Sequence, residues 1–240
     1  MTDIASLRAA IAGLISFAAG EEQVLLAAAP QDEAGSPSCW PALPVIAHNT
    51  EFRRQQVQRL RAIRSGQAPP EFADVDHGSA ALYAELSAQP ADAVRRDSWR
   101  VSGELIEELA AASQSDLLEP SRNPWLRGRQ LWLQLIVRGF WHPAGHLGGY
   151  YVGHGQTARA VALAEQAVTT AGALGAPDPA RGMASYNLAC VLAGAGLLDE
   201  SAATVAEAVA LNPDVRANAA RDSDLTEVRE RGLLIALLGS

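Results

Sequence analysis

At 240 residues and 48% hydrophobic content, the chain can bury one large core or a medium domain plus a small one. Its net charge of −8, from 27 acidic against 19 basic residues, excludes the basic surface that nucleic acid or an anionic membrane would need. Every basic residue is arginine, which excludes a Schiff-base lysine.

Helical periodicity dominates, and no run alternates apolar with polar residues as a strand would, so the fold class expected is all-α. The first helix spans roughly 2–28, with Ile4, Leu7, Ile11, Leu14 and Ile15 on one side. This opening segment has no basic n-region and reads as a folded helix, not a signal peptide. No stretch approaches the roughly 20 apolar residues that a bilayer span requires, so no membrane partner is expected. A loop rich in proline, glycine and serine follows, from Pro30 to Pro41. The second helix runs from about Leu43 to Arg64, with Val45, Phe52, Leu60 and Ile63 as its apolar stripe.

Residues 76–113 read as a third helical region interrupted near Pro90, where a donor is lost and the preceding turn is crowded. Its second part carries Trp99, Val101, Leu105, Ile106 and Leu109 as apolar positions. After the loop 119–124 comes a fourth helix, with Leu131, Trp132, Leu135, Ile136 and Phe140 leading into Trp141-His-Pro-Ala-Gly-His146. Four long amphipathic segments joined by loops are the pattern of a four-helix bundle. From about Gly155 the texture changes to short alanine-rich helices. The segment Ala184 to Ala202, with its Tyr-Asn-Leu helix, Gly-x-x-Asp-Glu turn and closing Pro213, resembles a tetratricopeptide repeat. Residues 156–174 can form the second helix of a degenerate preceding repeat and 224–238 a capping helix. The expected organisation is a bundle over 1–154 and a repeat-like segment over 155–240, the latter a candidate surface for a protein partner or self-association.

His142 and His146 are four residues apart, about 40° on a helical wheel, so both rings can reach one point beside the helix. A pair of histidines capping carbonyls near a kink is the competing reading. Pro143 between them either bends a continuous helix by freeing the Gly139 carbonyl, or starts a new segment after a break. His48, on the edge of the second helix's apolar stripe, offers a third imidazole. Three such ligands suit zinc or nickel, and also iron or copper.

The order of elements resembles the DinB/YfiT-like superfamily, including its thiol-dependent S-transferases and ClbS/DfsB-like relatives. The resemblance covers roughly Leu7 to Tyr151. It rests on Trp40 ahead of Leu43-Pro-Val-Ile-Ala-His48, on Val75-Asp-His77, and on Trp141-His-Pro-Ala-Gly-His146. It implies a four-helix bundle with His48, His142 and His146 as a facial three-nitrogen site for a divalent transition metal, with open positions. ClbS/DfsB-like relatives also work without metal. The short loop between the second and third regions and the repeat-like tail depart from the family's pattern. The resemblance implies chemistry on a small-molecule substrate, electrophilic or akin to a secondary metabolite, by thiol transfer, hydrolysis or isomerisation. A low-molecular-weight thiol is then a candidate co-substrate.

Arg138, one turn before His142, and Arg53, within the apolar arc of the second helix, are candidates to hold a substrate carboxylate beside Phe52. The competing readings are guanidinium groups reaching the surface and a Phe52 that serves the core. His77 is a candidate acid or base, against a capping role for Asp76-His77 at a helix start. His154, in Gly153-His-Gly155, projects about 80° away from His146 and is not assigned to the metal. Cys39 and Cys190 lack Cys-x-x-Cys spacing and are too few for a disulfide framework, which fits a cytoplasmic location. An interaction protein using the repeat-like tail is the alternative from a different class.

Overall fold

A computed structural model describes residues 3–29, 35, 40–72 and 80–238, and among them the secondary structure is entirely helical. The chain divides into two compact units, 1–143 and 144–240.

In the first unit, helix α1 (Ile4–Ala28) starts where the Asp3 carboxylate accepts from the Ala5 and Ser6 amides. Leu7, Ile11, Ile15, Ala18, Glu22 and Leu25 recur every three or four residues and form its buried face, which packs against α4 (Ala91–Ala111). By length and composition α1 alone among the described helices could cross a bilayer, with a mean hydropathy of 1.4 over its apolar window. This differs from the expectation that no stretch approaches a bilayer span, because alanine and glycine raise the average without a continuous run of large apolar side chains. A third of that window is buried inside the protein.

Helix α2 (Ala42–Arg64) begins after Pro41 and packs on α4 and on the short α3 (Ala80–Ser87). The break between α3 and α4 falls at Ala88–Pro90, as the proline predicts. Arg61 and Arg64 in the last turn of α2 both reach Glu108, and Arg61 also reaches Glu104. These cations suit a helix C-terminus and tie α2 to α4. Trp99 departs from expectation: it is 61% exposed on α4, while Val101, Leu105 and Leu109 are buried. Its position, two residues before Val101, lies about 200° round the wheel from that residue. Helix α5 (Gln114–Leu118) and two 3-10 turns (Pro120–Arg122 and Pro124–Leu126) occupy what reads as loop, before α6 (Leu131–Ile136).

Helix α7 (His142–Gly153) starts at the end of the first unit and continues into the second, where α8 (Thr157–Ala173), α9 (Asp178–Gly194) and α10 (Leu198–Leu211) follow. Helix α9 packs on α8 and α10. The crossing of α9 and α10 needs Gly182, because a Cβ there would lie 2.8 Å from the Ala208 carbonyl oxygen and 2.9 Å from the Asn212 nitrogen. Tyr186, Ala189, Val205, Ala208, Val215, Leu225 and Val228 share the core. The expected capping helix over 224–238 is instead broken into α12 (Thr226–Glu230) and α13 (Ile235–Leu238), preceded by α11 (Val215–Ala219) and a 3-10 turn (Ser223–Leu225). Gly232, at φ +74°, takes the left-handed conformation that stops the helix between them.

Candidate metal centre

Residues 131–153 are helical throughout, so Pro143 does not break the chain. Helix α6 runs into a single π-helical turn, Val137–Trp141, in which the His142 amide donates to the Val137 carbonyl five residues back. Such turns arise where the i to i−4 ladder is disturbed. Pro143 supplies the disturbance, since it has no N–H for the Gly139 carbonyl. Arg53 Nε donates to that carbonyl instead, at a long 3.4 Å.

The same guanidinium is anchored from α1. Arg53 Nη1 donates to Glu22 Oε2 at 2.7 Å, and Glu22 also accepts from Ser98 Oγ at 2.7 Å and from Asn49 Nδ2 at 3.1 Å. All four residues are fully buried. Side chains from α1, α2 and α4 thus form one network that ends on a carbonyl three residues before His142. Gly139 is required there for a second reason: a Cβ would lie 2.7 Å from Ile15 Cγ1. The close approach of α1 to the π-turn depends on its absence.

His48 on α2 is buried, and its Nε2 lies 3.1 Å from His142 Nε2. His146 follows one turn later in the uninterrupted α7, so the helix itself sets its position relative to His142. One ring nitrogen from each of the three lies within 4.8 Å of the others. Ligands about 2.0–2.1 Å from a tetrahedral zinc stand about 3.3 Å apart, and cis ligands in an octahedral site about 3.0 Å apart. The 3.1 Å separation sits between these values, so His48 and His142 fit either geometry as placed. With 4.8 Å as the outer limit for the set, closure needs at most about 1.5 Å of ring movement for the tetrahedral spacing and about 1.8 Å for the octahedral one. The three histidines can therefore hold a metal ion. Without one, the short contact requires one Nε2–H to donate to the other ring's lone pair.

Aromatic rings enclose the pair. Phe52 lies 4.7 Å from the His48 centroid and 4.4 Å from that of His142, and Trp40 meets His48 edge to face at 5.5 Å. Phe52 is buried, so it serves the core and walls the site at once. Arg138 is half-buried, with its Cζ 4.5 Å above the Phe52 ring. Arg53 has its own carboxylate partner in Glu22 and is fully buried. A cavity of about 110 Å³ between α2, α3 and α4 is lined in part by His48, Thr50, Phe52, Leu86 and Asp97. That volume admits only a few heavy atoms, since small-molecule sites usually enclose about 300–1,000 Å³.

His77 and Cys39 lie outside the described residues. His154 stacks on Tyr150 at 3.9 Å, and its Nδ1 is 2.8 Å from the Tyr150 carbonyl oxygen, so it closes the end of α7. Sequence reading missed a second polar cluster. Tyr186 donates to Asp222 Oδ2 at 2.6 Å, and the Cys190 thiol approaches the same oxygen at 3.9 Å, with Asp224 alongside. Burial, then the two aspartates, pushes the Cys190 thiol well above its ordinary range. The four-residue spacing of Tyr186 and Cys190 was the available signal; the aspartates come from 32 or more residues away. Comparison of the chain with protein-family models, curated proteins and solved structures yields no match.

Proposed function

We propose that the chain is a DinB-like metalloprotein in which His48, His142 and His146 bind one divalent ion, zinc or nickel foremost. In this reading residues 1–154 form the four-helix bundle and residues 155–240 the tetratricopeptide-like segment. The observation that carries it is the grouping of those three ring nitrogens within 4.8 Å, from an early helix and one late helix. Four long helical stretches, α1, α2, α4 and residues 131–153, support the bundle assignment.

A bound divalent ion supplies Lewis acidity, which favours the deprotonated form of a water or thiol at its open position. The protein's own groups do the rest. Phe52 and Trp40 wall the imidazoles and limit water, which strengthens electrostatic interactions at the site. The Arg53–Glu22 network holds the π-turn that aims His142. The substrate is a small electrophilic molecule, and the reaction class is thiol transfer, hydrolysis or isomerisation in a cytoplasmic setting, with a low-molecular-weight thiol as the candidate co-substrate.

Metal analysis of the purified protein and of the His48→Ala, His142→Ala and His146→Ala variants tests the reading. Near-stoichiometric metal in the parent and its loss in the variants is the expected result, whereas full retention in all three sinks the site. The 3.1 Å contact between His48 and His142 also suits a metal-free acid–base pair. Activity that survives thorough chelation and titrates in the histidine range would select that mechanism instead.

A further inference from the structure

The second unit holds a mixed set of donors that the histidine centre does not use. Tyr186 and Cys190 stand one turn apart on the same face of α9. Against them lies the 3-10 turn Ser223–Leu225, which packs on α9 and is pinned there by the fully buried Leu225. Asp222 caps that turn: its Oδ1 accepts from the Asp224 amide at 3.0 Å, while its Oδ2 accepts from the Tyr186 phenol at 2.6 Å. One ligand atom from each of Cys190, Asp222 and Asp224 lies within 4.8 Å of the others, and the Cys190 sulfur is 3.9 Å from Asp222 Oδ2.

Zinc bonds a thiolate at about 2.3 Å and a carboxylate oxygen at about 2.0–2.2 Å, so tetrahedral ligand atoms of these kinds stand about 3.3–3.7 Å apart. The 3.9 Å pair is close to that range as it stands. The widest separation in the set needs at most about 1.5 Å of closure. Asp224 can supply it, being exposed on a short turn with a side chain that forms no hydrogen bond or ion pair among the described residues. The Asp222 carboxylate has about four lone-pair sites, so it can hold the phenol, the capped amide and an ion together. Tyr186 then fixes the ligand's orientation from behind, as hydrogen-bonded partners of metal ligands do.

No cation offsets these acids. Among the described residues neither aspartate forms an ion pair, and Arg229 nearby donates to the Ala219 and Asp222 carbonyls and to the Thr226 hydroxyl instead. The half-buried sulfur from a separate helix sets the group apart from a pair of surface carboxylates, because a soft donor beside hard ones favours zinc over magnesium or calcium.

We propose that Cys190, Asp222 and Asp224 form a second metal site, for a thiophilic divalent ion of the zinc and cadmium kind, with Tyr186 orienting Asp222. Binding exchanges the sulfur–hydrogen bond for a sulfur–metal bond and passes the proton to solvent. The ion ties α9 to the turn at 223–225. The site stands on its own residues and does not rest on the three-histidine reading.

The test is a cadmium titration of the full, reduced, metal-free chain, followed by the near-ultraviolet charge-transfer band of a cadmium thiolate, to which imidazole ligands do not contribute. One saturable band per chain is expected, displaced by excess zinc. It should persist in Cys39→Ser and His48→Ala and vanish in Cys190→Ser. Asp222→Asn and Asp224→Asn should each weaken cadmium binding at least about tenfold. Asp224→Asn disturbs no side-chain hydrogen bond, so it carries the test even if Asp222→Asn fails to fold. No band in the unaltered protein, a band that is lost with Cys39 and not with Cys190, or unchanged affinity in Asp224→Asn overturns the proposal. Zinc retained by all three histidine variants but released by Cys190→Ser would support this site and remove the three-histidine reading. Zinc lost with the histidines from a chain that gives no cadmium band would do the reverse.

Discussion

Arg53→Met isolates what the buried network contributes. The substitution keeps an unbranched apolar stem in α2 but leaves the Glu22 carboxylate fully buried, with Ser98 Oγ and Asn49 Nδ2 as its remaining donors among the described residues. It also removes the Arg53 Nε donor to the Gly139 carbonyl. Breaking one partner of a buried ion pair costs about 3–5 kcal/mol, because the remaining charge has lost its counterion but not its desolvation cost. Against a total stability of about 5–15 kcal/mol this is about a fifth of the whole or more. With a urea m-value of about 2 kcal/mol per molar, the midpoint should fall by about 1.5–2.5 M, read by tryptophan fluorescence at pH 7. The double variant Glu22→Leu/Arg53→Met, which removes both charges, should recover most of that loss. A midpoint shift below about 0.3 M for Arg53→Met, or a double variant less stable than both singles, would refute the argument that the pair acts as a buried, mutually dependent unit.

Gly139→Ala should cost about 1–3 kcal/mol in the same assay, since its Cβ overlaps Ile15 Cγ1, and Ile15→Val in the same chain should not rescue it because valine retains the clashing carbon. Trp99→Ser should change stability by less than about 0.5 kcal/mol because the indole is mostly in solvent; a larger loss would mean the ring packs against something. In the folded protein Cys190 should react with a disulfide reagent at pH 8–9 far more slowly than in urea, because its folded pKa is raised and the thiolate is scarce there. The sign follows: the contribution of Cys190 to stability is complete below the ordinary thiol range and is lost as pH climbs above it, so Cys190→Ala should flatten stability above about pH 8.5. Tyr186→Phe should cost about 1.5–3 kcal/mol by removing a hydrogen bond to the Asp222 carboxylate, measured by thermal unfolding at pH 7.

The helices were readable because large apolar residues in α1, α2 and α6 recur at the helical period, and Ser-Gly and proline punctuation marked α2 and α4 to within a residue or two. His48 was readable from its position at the edge of the α2 stripe. The π-turn was not, because the dihedrals at its two ends stay helical while the hydrogen-bond register changes; Pro143 marked the disturbance without saying whether the helix bends or stops. The partner of Arg53 was hidden for another reason. Glu22 lies 31 residues earlier, on a helix whose apolar stripe makes the same face look like plain core. Arg59 reads as an ordinary surface arginine until its guanidinium is seen against the rings of Phe72 and Trp125, distant in sequence. Local pattern locates elements, whereas polar pairing across the fold depends on which faces meet.

Cobalt(II) titration of the metal-free protein is the most direct measurement of the three-histidine centre, since the ion reports ligand number and geometry through its visible absorption. One equivalent should produce saturable d–d bands, and His48→Ala, His142→Ala and His146→Ala should each weaken binding and shift the spectrum. A featureless spectrum in the parent, or identical bands and affinity in all three variants, would contradict the account.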